Sequence, residues 1–100
     1  MIAMADERIS IEVFCQHEQV EFTFVHALYE RGLIHVEEEP PLHYIAREHL
    51  PRLEQLARLH YDLEIDLAGL EAVSHLLERV ERMQEEMREL RERLRLYEPE

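Results

Sequence analysis

The chain contains no lysine and no tryptophan, and its charge is lopsided: eleven arginines oppose 23 acidic residues across 100 positions, a formal net charge of −12. Affinity for nucleic acid rests on cations that neutralise phosphates and release counterions, so this balance argues against a nucleic-acid ligand. Cys15 is the single cysteine. It excludes an intrachain disulfide, fits a reducing cytoplasm and reads as a small buried apolar residue. Two glycines and four prolines leave little material for a turn-rich sheet. No apolar run approaches a membrane span, and the short apolar start at residues 1–5 gives way to Asp6 and Glu7 where an export signal would continue. With only three Phe and four Tyr available, the core must come mostly from Leu, Ile and Val. One domain of mainly helical, soluble character is expected.

What is present is strongly patterned. Ser10 precedes Ile11, Val13, Phe14 and Cys15, the signature of an N-capped short helix ending near His17. Glu18, Gln19 and Val20 form the expected turn. Phe22, Val25, Leu28 and Tyr29 recur at helical steps, and Gly32 stands where a left-handed C-cap belongs. Two short helices around a three-residue turn make a helix-turn-helix. Residues 33–36 and 42–45 read as the two strands of a small wing, with Glu37, Glu38, Glu39, Pro40 and Pro41 as its acidic, stiffened tip. Leu50, Leu53, Leu56, Leu59 and Leu63 mark another helix, and Pro51 must lie in its first turn.

Asp66 is the sharpest boundary, an N-cap whose carboxylate suits the positive end of a helix dipole. The chain therefore divides into a helix-turn-helix and wing module over residues 8–65 and a long helix over residues 66–98, ended by Pro99. On that helix Val73, Leu76, Val80, Met83, Met87, Leu90, Leu94 and Tyr97 alternate three- and four-residue steps with charged flanks. Such a stripe predicts a coiled coil and a homodimer. Charge pairing permits both strand orientations. A parallel pair would bring Glu86 to Arg91, and an antiparallel pair would bring Arg79 to Glu86.

Little in the sequence points to catalysis. The seven histidines, His17, His26, His35, His43, His49, His60 and His75, contain no i,i+4 pair and have no second cysteine beside them, so none has structural-zinc spacing. His35 and His43 could approach across the wing, but two ligands do not make a site. Ser10, Thr23 and Ser74 sit in no nucleophile elbow, and two glycines cannot build a phosphate-binding loop. No enzyme activity, metal or cofactor is expected.

The order of parts resembles the MerR family. The likeness is carried by Ile9-Ser10-Ile11-Glu12-Val13-Phe14, by Tyr29-Glu30-Arg31-Gly32-Leu33-Ile34, and by the wing, second helical pair and dimerising helix that follow. It implies a mainly α fold, a MerR-like winged helix-turn-helix with a two-stranded wing and a long C-terminal coiled-coil helix. The family's basic DNA-contact positions hold Thr23 and His26 here, and Gln19 replaces the usual turn glycine. Residues 59–70, Leu-His-Tyr-Asp-Leu-Glu-Ile-Asp-Leu-Ala-Gly-Leu, and residues 89–94, Glu-Leu-Arg-Glu-Arg-Leu, further resemble chaperone modulators of the CbpM type. That resemblance implies a non-enzymatic inhibitor that binds the J-domain of a DnaJ- or CbpA-type co-chaperone.

J-domains present a basic helix, and an acidic surface could meet it by charge complementarity. The candidate contacts are Glu12, Glu18 and Glu21 around the first two helices, Glu37, Glu38 and Glu39 on the wing, and Asp62 and Glu64 at the turn before the long helix. Phe22 and Phe24 are the apolar anchors. The same carboxylates also read as solvated loops and caps, and the motif match does not decide which of them touch a partner. The alternative function is a MerR-type transcriptional regulator that binds DNA, which would call for basic charge on the second helix and wing.

Overall fold

The computed structural model describes residues 7–98; Pro99 and the leading segment up to Asp6, on which the export and helix-stop expectations fall, lie outside them. The elements run β1 (Arg8–Ser10), α1 (Ile11–Glu18), α2 (Phe22–Glu30), β2 (Glu37–Glu39), β3 (Leu42–Ala46), a single 3₁₀ turn (Arg47–His49), α3 (Leu50–Leu63) and α4 (Leu67–Arg95). The protein is thus mainly helical, with a small antiparallel sheet ordered β1-β3-β2.

The caps explain the helix starts. The Ser10 hydroxyl accepts the Val13 N–H and opens α1, and the Asp66 carboxylate accepts the Gly69 N–H at 2.8 Å and opens α4. Each satisfies one N–H that a first helical turn leaves without a partner. Gly32, at φ 76°, takes the left-handed conformation after α2. Gln19 takes it after α1 at φ 57°, a region that costs a side-chain-bearing residue and that glycine would enter freely. Pro51 lies in the first turn of α3, where its missing N–H removes no hydrogen bond.

The wing departs from the sequence expectation in two ways. It gains a third strand, because Arg8, Ile9 and Ser10 pair with Ala46, Ile45 and Tyr44. Its other outer strand is Glu37–Glu39, paired with β3 so that Glu38 faces His43, while residues 33–36 are not a strand. Ile34 and Val36 are buried in the core instead, so the apolar residues are used for packing and the acidic run supplies the pairing. Only the Pro40-Pro41 pair remains as the tip.

Arg8 holds this sheet together on its outer face. Its guanidinium lies 4.2 Å from the centre of the Tyr44 ring and reaches across β3 to Glu37 and Glu39 at 3.1 and 2.8 Å. Hydrogen bonding to Arg8 holds the Glu39 carboxyl below its ordinary pKa.

Beneath the sheet and helices lies one core in which Ile11, Leu28, Ile45, Leu53, Leu56 and Leu70 are almost completely buried. Leu70 and Ser74 bring the start of α4 into it. Arg31 pairs with Glu71 at 3.0 Å, and Arg52 pairs with Glu81, so charged contacts flank the same junction. Ser74 is 1% exposed, and among the described residues its hydroxyl has no hydrogen-bond partner.

Beyond this junction α4 projects alone. At roughly 1.5 Å per residue a helix of this length spans about 44 Å. Along it Leu76, Val80, Met83, Met87, Leu90 and Leu94 are between 47% and 61% exposed, and Tyr97 is 84% exposed. Among the described residues nothing covers this stripe, whose first member, Val73, is half-buried.

Candidate functional site

The acidic residues singled out in the sequence fall on two faces of the helix-turn-helix module. The first joins α1, α2 and the inner side of the wing. Here His43 Nδ1 lies 2.6 Å from Glu12 Oε2, and the other Glu12 oxygen accepts the His43 backbone N–H and the Ser10 hydroxyl, each at 3.2 Å. Partial desolvation raises the Glu12 pKa, but the hydrogen bonds from His43 and Ser10 outweigh it and hold the carboxyl below its ordinary value. Glu38 approaches the far side of the same imidazole at 3.9 Å.

Phe22 covers this pair. Its ring centre is 5.0 Å from that of His43 and 6.3 Å from that of His26, which sets the exposed rings of Phe22 and His26 beside the half-buried His43 at the mouth between α2 and the wing. Phe22 remains 37% exposed. Glu37 and Glu39 point to the opposite face of the sheet, where Arg8 engages both. The three wing glutamates therefore do not act as one cluster.

The second face is a groove between the end of α1, the following turn and the outer side of α3. It encloses about 400 Å³ and is lined by Phe14, Val20, Ala57 and Tyr61, with Glu18, Glu54, Arg58 and Asp62 among its polar residues. Glu18 and Asp62, distant in sequence, meet here, joined by Glu54, which sequence reasoning had not singled out. Only the i,i+4 spacing of Glu54, Arg58 and Asp62 on one helix face could have drawn attention to it. Tyr61 ties the groove to the start of α2, because its hydroxyl accepts the Glu21 N–H at 3.2 Å.

Two candidate residues fall elsewhere. Phe24 is only 6% exposed. Its ring stacks on His60 at 4.4 Å and meets Tyr61 edge-on at 5.3 Å, so it is a core residue and not an exposed anchor. Stacking from α3 captured it, and the surface position on α2 went to Phe22. Glu64 closes α3 in the left-handed conformation at φ 58°, and its role in the fold is that of a cap. The neighbouring His60 Nδ1 lies 2.8 Å from the Ile65 carbonyl oxygen, which further fixes the turn between α3 and α4.

A larger open cleft of about 870 Å³ lies on the other side of α3, where His35, His49, Arg52 and Arg58 face Glu48, Glu78 and Glu81. Its charges are mixed, and Arg52 is engaged by Glu81. Burial, with Glu12 nearby, pushes the Cys15 thiol up, opposite to what a reactive thiolate requires. Among the described residues no cluster of three or more His, Cys, Asp or Glu could hold a metal ion, and no helix is long and apolar enough to cross a membrane.

The electrostatic character of the helix-turn-helix is clear from these contacts. Neither α1 nor α2 contains an arginine, nor do β2 and β3. Of the cations that flank these elements, Arg8 and Arg31 are engaged by Glu37, Glu39 and Glu71, while Arg47 directly follows β3 and Arg58 lines the groove beside the end of α1.

Comparison with protein families agrees with the architecture: the profile of the MerR HTH family of regulatory proteins matches residues 9–92. Comparisons with curated proteins and with solved structures returned no match.

Proposed function

The chain belongs to the MerR HTH family of regulatory proteins, and we propose that it regulates a protein partner rather than a promoter: it binds the J-domain of a DnaJ- or CbpA-type co-chaperone in the cytoplasm and inhibits it without enzymatic action. The observation that carries this reading is the absence of arginine and lysine from both helices of the helix-turn-helix and from β2 and β3, together with the capture of Arg8 and Arg31 by glutamates. Phosphate contacts from cations set the register of a DNA reader, and these elements have none to offer. A partner with a basic helix matches their charge and gains rate and selectivity from it. The resemblance of residues 59–70 and 89–94 to CbpM-type modulators supports the J-domain as that partner.

Self-association belongs to the same reading. The exposed stripe from Leu76 to Tyr97 on α4 is suited to a second copy through knobs-into-holes packing. Charge on α4 permits both orientations, because acidic and basic residues alternate through its second half.

DNA binding of the MerR type is the second reading, favoured by the family match itself. One experiment addresses both: binding of the purified chain to a J-domain and to random-library DNA, each across a salt series. The proposal expects J-domain binding and no sequence-selective DNA enrichment. Selective DNA enrichment that survives moderate salt, without J-domain binding, would establish the transcriptional reading instead.

A further inference from the structure

We propose that the groove between α1 and α3 seats an arginine or lysine side chain from a helix of the protein partner, with its cationic head among Glu18, Glu54 and Asp62. This deepens the preceding reading and rests on it. The floor of the groove is apolar, with Phe14, Val20 and Ala57 at 5%, 8% and 7% exposure. Such a floor suits the methylene stem of a long cationic side chain, which covers apolar surface while its head stays among polar groups. Tyr61, 42% exposed, also lines the groove.

The rim carries charge that the chain does not neutralise. Arg58 follows Glu54 by one helical turn and precedes Asp62 by another, the spacing at which side chains on a helix ordinarily pair. Yet among the described residues neither Glu54 nor Asp62 forms an ion pair, and Arg58 also lines the cleft on the opposite side of α3. Glu18 is engaged only by its exposed neighbour His17. Three carboxylates and the single guanidinium of Arg58 thus line the groove, an excess of negative charge that an external cation would offset.

A helix fits this site better than an extended strand. Two helices form the groove walls, an arrangement that suits a helix laid along them.

The test measures binding of the full chain to a purified J-domain by interferometry, with thermal melting as a control on folding. Glu54→Gln combined with Asp62→Asn should weaken binding about tenfold, as expected for loss of a close charge contact. Glu48→Gln combined with Glu78→Gln changes net charge equally but lies on the cleft across α3, and should weaken binding less than about twofold. Arg58→Gln, at an exposed position, should tighten binding several-fold because it removes a like charge from the rim. If the wild type binds but the groove pair weakens binding no more than the cleft pair, or Arg58→Gln weakens it, the groove assignment is overturned and the J-domain reading stands. A wild type that shows no binding at about 100 µM, the range of very weak complexes, overturns both.

Discussion

His43 and Glu12 join the wing to the first helix: the imidazole Nδ1 stands 2.6 Å from one carboxylate oxygen, and the His43 backbone N–H donates to the other at 3.2 Å. A single side chain thereby fixes both the position and the tilt of β3 over α1. Replacing it by Glu12→Gln should destabilise the fold by about 1 kcal/mol near neutral pH, the usual scale for a partly exposed hydrogen-bonding group. The sign of the pH dependence follows from the lowered Glu12 pKa. Its contribution is complete above the ordinary value of 4.5 and is lost as pH falls through the lower folded value. Melting curves of wild type and variant should therefore converge in acid, and a constant separation down to the lowest accessible pH would contradict the assignment.

Ser74 offers a stabilising substitution. Its buried hydroxyl lacks a partner among the described residues, and alanine is the better helix former. Ser74→Ala should raise stability by about 0.5–1 kcal/mol, a few degrees in melting temperature for a domain of this size. Chemical denaturation measures the change, and a loss of stability would mean that the hydroxyl has a partner in solution.

Phe22 and Phe24 should respond in opposite ways. Phe24→Ala empties a core position stacked on His60 and should cost about 3–5 kcal/mol of folding stability. Phe22→Ala removes a half-exposed ring and should alter stability far less while speeding dissociation of the J-domain complex. Unfolding curves and dissociation rates taken together separate the two roles.

Leu90→Glu tests self-association. Leu90 is 54% exposed in the isolated chain, so a carboxylate there costs little in a monomer. In a paired helix it would sit in a desolvated layer at a cost of several kcal/mol. Light scattering should show a dimeric wild type and a monomeric variant. A wild type that stays monomeric at tens of micromolar, roughly where coiled coils of this length persist, would remove the dimer from the reading.

Charge reversal at the turn of the helix-turn-helix should act on encounter. Glu18→Lys with Glu21→Lys should chiefly slow association with the J-domain and flatten its salt dependence, because exposed charges act within a screening length of about 8 Å at physiological salt. An unchanged association rate at both low and high salt would move docking away from this module and toward α4.

The helix starts were legible because their signals are local. Ser10 and Asp66 each put a hydrogen-bonding oxygen before an apolar periodic run, and each caps as expected. The sheet was less legible. Strands of three residues such as β1 and β2 are too short to show a period of two, and the glutamate run looked like a loop tip. Its pairing depends on Arg8 and His43, which come from other parts of the chain. On α2, helical spacing admits an inward face through Phe22 or through Phe24, and the choice is made by His60 and Tyr61 on α3. The groove could not be read from the sequence, since Glu18 and Asp62 meet only after α1 and α3 have packed.

The outer strand β2 has one further consequence. An unpaired sheet edge is a template on which another chain can add a strand, and proteins guard against this with charge and short length. Here the edge is three residues long and consists of Glu37, Glu38 and Glu39. A second copy approaching edge to edge would bring three carboxylates against three, so the wing repels its own kind. The chain can therefore carry a long apolar helix for association while pairing between two β2 edges stays disfavoured.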